Sequence, residues 1–276
     1  MKKYLSNSID VNALIDVLDE VPLWSAPFGL KLLEQVRYKK NITAVDIGFG
    51  TGFPLTELAL RLGNSSIVYG IDPWKEIIER VQKKIKLYEI TNIKLLEGVA
   101  EKIPLEDGSV HLIVSNNGIN NVTNIDAVFS ECERILTPGG QFVFTMNLDL
   151  SMFEFYLVFE EVLSELAMHS EIALMKQHIA HKRPPLDIIT KLLHQHNFLI
   201  ETLQHEQFTY HFADGTTMLN HYFIRLAFLE AWLSILPKEF YETIFDNIET
   251  TLNGQAQISE GITLSIPFVV ISALRI

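Results

Sequence analysis

The chain has 276 residues, 48% of them hydrophobic and 20% charged, with 34 acidic against 22 basic side chains and a formal net charge of −12. This is globular rather than disordered composition, and its acidity disfavours nucleic acid and anionic lipid faces as partners. The single cysteine, Cys132, supplies neither an internal disulfide nor a thiolate metal cluster.

No stretch approaches the roughly 18 apolar residues of a membrane span, and the basic start at Lys2 and Lys3 has no apolar core behind it. A cytoplasmic protein is expected, with monomer and homodimer both open. Asp10 can cap a helix carrying Val11, Leu14, Ile15 and Leu18 that Pro22 ends. After a loop over residues 22–27, a second helix with Leu30, Leu33 and Val36 runs to about Tyr38.

From Asn41 the texture changes. Short apolar runs at Ile42–Ile47, Ser66–Ile71, Ile93–Leu96, Val110–Ser115 and Gln141–Thr145 read as buried strands. Between them, Leu55–Leu62, Lys75–Tyr88 and Ile125–Leu136 carry helical periodicity. Strands alternating with helices predict a doubly wound α/β core with a mostly parallel sheet over residues 41–148. Ser151–His169, Thr216–Leu236 and Lys238–Leu252 read as further helices, and Phe198–Tyr210 and Ile262–Leu274 as two strands that finish the sheet. Residues 149–276 are therefore expected to be a helical cap inserted in the sheet's C-terminal half, plus its last strands. Residues 1–40 are expected as N-terminal helices.

The most informative stretch is Asp46-Ile47-Gly48-Phe49-Gly50-Thr51-Gly52, after a strand and before a helix. Glycine permits unusual dihedrals and lets a ligand approach bare backbone. The stretch continues Phe53-Pro54-Leu55 rather than Lys-Ser/Thr, which excludes a nucleotide-hydrolysing phosphate loop. Its Gly-x-Gly-x-Gly spacing also departs from the dinucleotide fingerprint. Asp72 closes the second strand, where a carboxylate can accept both ribose hydroxyls of an adenosine; it can also cap the helix after Trp74.

At these residues the sequence resembles the class I S-adenosylmethionine-dependent methyltransferases, in particular the small-molecule branch that includes ubiquinone- and menaquinone-biosynthesis enzymes. Three further landmarks agree in order and spacing: Gly98–Ser109, Val110–Asn117 and the Thr137-Pro138-Gly139-Gly140 turn. The resemblance implies a seven-stranded Rossmann-like sheet and S-adenosylmethionine as cofactor. It implies that Gly48, Phe49, Gly50, Thr51 and Gly52 carry the methionine portion, with Asp46 holding its ammonium. Asp72 would take the ribose, Pro73 or Trp74 the adenine face, and Val99, Ala100 and Glu101 the adenine edge. Ser115 and Asn116 would face the methionine amino group or the sulfonium. Two residues depart from the family pattern. Val99 replaces the usual Asp and cannot accept from the adenine amino group, and Phe49 is bulky where Cys is common.

Methyl transfer from a sulfonium is an in-line displacement that needs alignment and exclusion of water more than a catalytic triad. The Ser115–Asn121 stretch, with Asn120 and Asn121, is the candidate acceptor lining. It has no acid to hold a hard cation, and no metal is expected. Neither His178-x-x-His181 nor His194-x-His196 has the spacing of a hydrolytic zinc site. His211 and His221 flank a turn that could enter the cap and are the candidate bases. Trp24 and Phe28 could close over the cofactor and, with Asn120 and Asn121, are the candidate substrate-binding residues, and the Phe- and Met-rich helices suggest an apolar or aromatic acceptor. Competing readings are an S-adenosyl-ligand binding protein without transferase activity and a nicotinamide oxidoreductase.

Overall fold

The computed structural model describes residues 2–6 and 20–276, so the expected helix over Val11–Leu18 lies outside the described residues. Seven strands form one sheet: β1 (Thr43–Ile47), β2 (Ile67–Asp72), β3 (Ile93–Glu97), β4 (Val110–Asn116), β5 (Leu136–Asn147), β6 (Phe198–Phe212) and β7 (Ile262–Arg275). Their order is β3-β2-β1-β4-β5-β7-β6. Strands β1 to β5 pair in parallel, and β7 runs antiparallel to β5 with Gln141 opposite Leu274 and Asn147 opposite Phe268. The order reverses between β1 and β4, the switch point at whose carboxyl ends open α/β sheets bind ligands.

Four of the five residues of β1 and six of the seven of β4 are buried, as central strands covered on both faces require. The crossover helices are α3 (Leu55–Leu62), α4 (Lys75–Leu87) and α5 (Ile125–Ile135). Each turns one apolar stripe inward, for example Val128, Phe129, Cys132 and Ile135 on α5. On that face Phe142 of β5 lies 5.8 Å from Phe129 and 5.6 Å from Phe198 by ring centroids. Cys132 is fully buried there, and burial pushes its thiol pKa well up.

The stretch over residues 22–27 is not a loop. A single helix, α2, runs Glu20–Gln35 with both prolines inside it. Pro22 falls in the first turn, where an N–H has no helical partner anyway, and Pro27 deletes one main-chain bond without ending the helix.

By contacts the chain divides into two compact units. Of the described residues, the sheet unit holds 20–148, 184–206 and 268–276, and the inserted unit holds 2–6, 149–183 and 207–267. Within the inserted unit are α1 (Lys3–Ser6), α6 (Phe153–Glu165), α7 (His169–Lys182), α9 (Gly215–Asn220), α10 (Tyr222–Ile224), a π-helical turn (Arg225–Leu229), α11 (Glu230–Ser234) and α12 (Tyr241–Ser259). Helix α8 (Leu186–Gln195) belongs to the sheet unit. The inserted unit has its own core, in which Trp232 stacks on Phe155 at 3.9 Å and donates its indole N–H to the Tyr156 hydroxyl. Glu249 of α12 accepts from the Tyr4 and Thr216 hydroxyls and pairs with Lys2 at 2.9 Å. The expected single helix over Thr216–Leu236 is broken at His221, whose backbone is extended. No described helix is long and apolar enough to cross a membrane.

Candidate active site

The turn after β1 is built on three glycines with positive φ: +73° at Gly48, +51° at Gly50 and +101° at Gly52. Side-chain-bearing residues are strained in that region, which explains the glycine spacing locally. Gly48 also passes Gly118, the turn after β4, so closely that a Cβ would sit 3.3 Å from the Gly118 Cα. A Cβ on Gly118 would in turn sit 2.8 Å from the Ile47 carbonyl oxygen. The carboxyl ends of β1 and β4 thus meet backbone to backbone.

Asp72 knots this turn to the next crossover. One carboxylate oxygen accepts the Gly50 N–H at 3.0 Å, and the other accepts the Trp74 N–H at 3.0 Å. Burial raises its pKa, and those two bonds oppose the rise. Each oxygen keeps acceptor capacity beyond the bond it already makes. Asp46 lies fully buried on β1, and neither of its carboxylate oxygens has a partner of hydrogen-bonding geometry. Burial and then the charge of Asp72 push its pKa up to about 8, against a small favourable influence of the Leu55 N–H.

The remaining expected positions fall into two groups. Thr51 and Ala100 are buried, Pro73 is exposed, Trp74 is half-buried, and Val99 is 47% exposed. Other side chains are already committed to the protein. Phe49 turns into the core, where a Cβ on Gly70 would meet its ring at 2.8 Å. Glu101 accepts the Thr123 and Asn124 N–H groups. The Ser115 hydroxyl donates to the Ile47 carbonyl at 2.9 Å. Asn116 donates to the Ser25 carbonyl of α2 and accepts from the Thr145 hydroxyl. Asn120 is buried and Asn121 exposed, both in a short 3₁₀ turn directly after Gly118.

Helix α2 crosses this end of the sheet. Gly29 packs on the Phe53 ring with no space for a Cβ. Phe28 is fully buried, 5.6 Å from Trp24 and 4.5 Å from Phe268. Nothing in the sequence marks Gly29, and Gly118 is marked there only as part of the Ser115–Asn121 stretch, because a close approach between elements distant in sequence leaves no local signature.

The two histidines lie in the inserted unit and differ sharply. His211 is exposed, with its ring nitrogens 2.9 Å from the Thr209 hydroxyl and 3.1 Å from the Thr263 hydroxyl. His221 sits edge-on to Phe212 at 5.4 Å, with a buried Nδ1 that has no hydrogen-bond partner.

Strand order, the glycine turn after β1 and the acid closing β2 are those of the Rossmann-like methyltransferase fold, and the chain resembles the class I S-adenosylmethionine-dependent methyltransferases. Residues 45–144 match the family model described as a methyltransferase domain. Within that class the chain resembles quinone-biosynthesis enzymes. It is 31% identical to the demethylmenaquinone methyltransferase of Geobacillus sp. (strain WCH70), over 40% of this chain and 47% of that protein. It is 30% identical to the Bacillus velezensis enzyme of the same name, over 45% and 54%. The chain thus spans about half the length of these curated relatives. Among solved structures, an Aquifex aeolicus S-adenosylmethionine-dependent methyltransferase superposes with a TM-score of 0.51 at 19% identity, covering 71% of this chain and 92% of that one. The geranyl diphosphate C-methyltransferase of Streptomyces coelicolor A3(2) gives 0.56 at 14% identity, covering 100% and 88%. At these identities the structures establish the fold.

Proposed function

We propose that this chain transfers a methyl group from S-adenosylmethionine to a small apolar or aromatic acceptor. The observation that carries the proposal is the pair of acids behind the glycine turn. Asp46 keeps two buried oxygens without partners, and Asp72 keeps acceptor capacity at the end of β2. Such a site fits a ligand with a cationic amino acid end and a ribose diol, and fits an anionic pyrophosphate poorly.

When bound, the cofactor supplies an already activated methyl group. What remains for the protein is to bind, orient and exclude water. Gly48–Gly52 would offer bare backbone to the methionine portion, and Asp72 would accept the ribose hydroxyls. Asp46, closed to solvent and with its pKa raised to about 8, would meet the ammonium after a local opening, the cation favouring its ionised form. Pro73 and Trp74 would flank the adenine, and Ala100 would offer backbone at its edge. Ser115, Asn116 and Glu101 would hold the surrounding loops, since their side chains are taken up within the protein. Trp24, Phe28, Asn120 and Asn121 remain our proposed lining for the acceptor side.

If the acceptor must lose a proton, His221 suits that role better than His211, whose ring is engaged by two threonine hydroxyls. His221→Ala should then lower turnover while leaving cofactor affinity intact; equal turnover would remove it as the base.

Calorimetric titration with S-adenosylmethionine, S-adenosylhomocysteine and NAD tests the central claim. Micromolar binding of the S-adenosyl pair, about −8 kcal/mol, and none of NAD is expected. A folded protein that binds neither S-adenosyl ligand overturns it. A binding protein without transferase activity is the second reading, favoured by Val99, which offers no side-chain acceptor to the adenine amino group. Methyl turnover with an acceptor separates the two.

A further inference from the structure

The amino ends of the parallel strands, at the pole of the sheet unit opposite the glycine turn, hold a cavity of about 180 Å³. A cavity of about 150 Å³ holds one benzene-sized molecule, so this space suits a single small ligand. Its origin is a break in register between β4 and β5. Pairing passes from Val110 opposite Leu136 to Leu112 opposite Gln141, so His111 alone spans Thr137-Pro138-Gly139-Gly140. Those four residues have no register partner on β7 either, where pairing begins at Gln141. Bulges in sheet ladders recur beside functional sites. A Cβ at Gly139 would meet nothing within 4 Å, so the backbone of this segment is bare on its open side.

The chemistry of the lining has one sign. None of the eleven residues around the cavity is acidic, although the chain carries 34 acids and a net charge of −12. Three of them are Arg37, Lys39 and His111. Arg37 is tied in place: its N–H donates to Oε1 of buried Gln141 at 2.9 Å, and Nη2 pairs with Glu201 at 2.5 Å. Its guanidinium keeps further donors beyond that pair. Lys39 is exposed, and no carboxylate of the described residues pairs with it. His111 accepts the Thr43 N–H on Nδ1 at 3.2 Å, which places its ring proton on Nε2 as a donor. Thr137 adds a hydroxyl that has no partner among the described residues.

We infer that this cavity binds a phosphate group, free or carried by a small phosphomonoester. Lys39, His111 and Thr137 stand on three separate segments, and a tetrahedral oxyanion offers acceptor oxygens to all three at once. A planar carboxylate offers only two oxygens. The remaining donors of Arg37 and the bare Thr137–Gly140 backbone border the same space. Every residue involved belongs to the sheet unit, and the site stands whether or not the chain transfers methyl groups.

The test titrates the full chain with inorganic phosphate and with glycerol 3-phosphate at about pH 8, where both are dianions, against sodium chloride at matched ionic strength. In the wild type, the His111 Nε2 resonance should shift saturably at millimolar phosphate or phosphomonoester and stay still in chloride. Lys39→Gln should weaken that binding about fivefold or more. Its thermal midpoint should not move, because the lysine side chain is exposed and has no carboxylate partner. Lys40→Gln removes a neighbouring exposed charge that does not line the cavity, and it should bind as the wild type does. Tighter binding of glycerol 3-phosphate identifies a phosphorylated metabolite as the occupant, and equal or tighter binding of inorganic phosphate identifies the free ion. No saturable shift beyond chloride overturns the inference. So does a Lys39→Gln variant that loses no more affinity than Lys40→Gln, since that outcome means general attraction to a basic surface. The wild-type resonance needs no variant to fold.

Discussion

Asp72 holds two backbone N–H groups from different turns, so its side chain shapes the site before any ligand arrives. Asp72→Ala leaves both donors unpaired and should destabilise the protein by about 1–3 kcal/mol. Asp72→Asn keeps one carboxyl-type oxygen and should cost less stability, while still weakening S-adenosylhomocysteine binding by about tenfold or more. Denaturant midpoints and calorimetry on both variants check this. Unchanged affinity in Asp72→Asn would sink the ribose contact. The glycine turn and the acid behind it were legible from residue type and spacing. The commitments of Ser115, Asn116 and Glu101 were not, because their partners are brought in by segments distant in sequence. For His211 this is true of one partner: Thr263 comes from β7, whereas Thr209 is its neighbour two residues back on β6.

At the scale of elements, periodicity worked where burial is one-sided. Helix α3 spans the expected Leu55–Leu62, with Leu55, Leu58, Ala59 and Leu62 buried. Helix α7 carried no expectation beyond its first residue, and the reason is visible: Met175 is its only buried residue, so no stripe marks it. Strand β5 begins at Leu136 instead of Gln141, since the Pro-Gly-Gly segment lies within the extended stretch. Helix α5 offers a clean test of local chemistry. Asn124 accepts the Ala127 N–H at 3.1 Å as its cap. Asn124→Ala should cost about 1 kcal/mol, and Asn124→Asp should restore it, as read from thermal midpoints. Equal stability of all three would mean that Glu101, which accepts the Asn124 N–H, carries that helix start alone.

For the molecule as a whole, buried acids give the two units opposite responses to pH. Asp46 ionises near 8 in the folded sheet unit against 3.8 ordinarily. Folding therefore holds this proton more tightly than the unfolded chain does. The stability it contributes is full below about pH 3.8 and declines as pH rises through 8. Glu249 in the inserted unit behaves the other way. Burial alone would raise its pKa, but the hydrogen bonds from Thr216, Lys2 and Tyr4 together bring it below the ordinary value. Its contribution is present above about pH 4.5 and is lost as pH falls through its lowered pKa. Asp46→Asn should accordingly gain on the wild type in urea unfolding at pH 9 relative to pH 5. Parallel curves at both pH values would refute the assignment.

The burial of Cys132 has a practical side. A thiol sealed between α5 and the sheet, with its ionisation suppressed, is a poor nucleophile toward maleimides and aromatic disulfides. Native protein should react with less than one equivalent of Ellman's reagent over hours, and with one equivalent at once in guanidinium. Fast reaction of the native protein would place the thiol elsewhere. The wild-type chain then serves as its own labelling background: a cysteine introduced at exposed Leu87 or Ile258 would carry a fluorophore or spin label alone, and both units can be followed during ligand binding without first engineering the native thiol away.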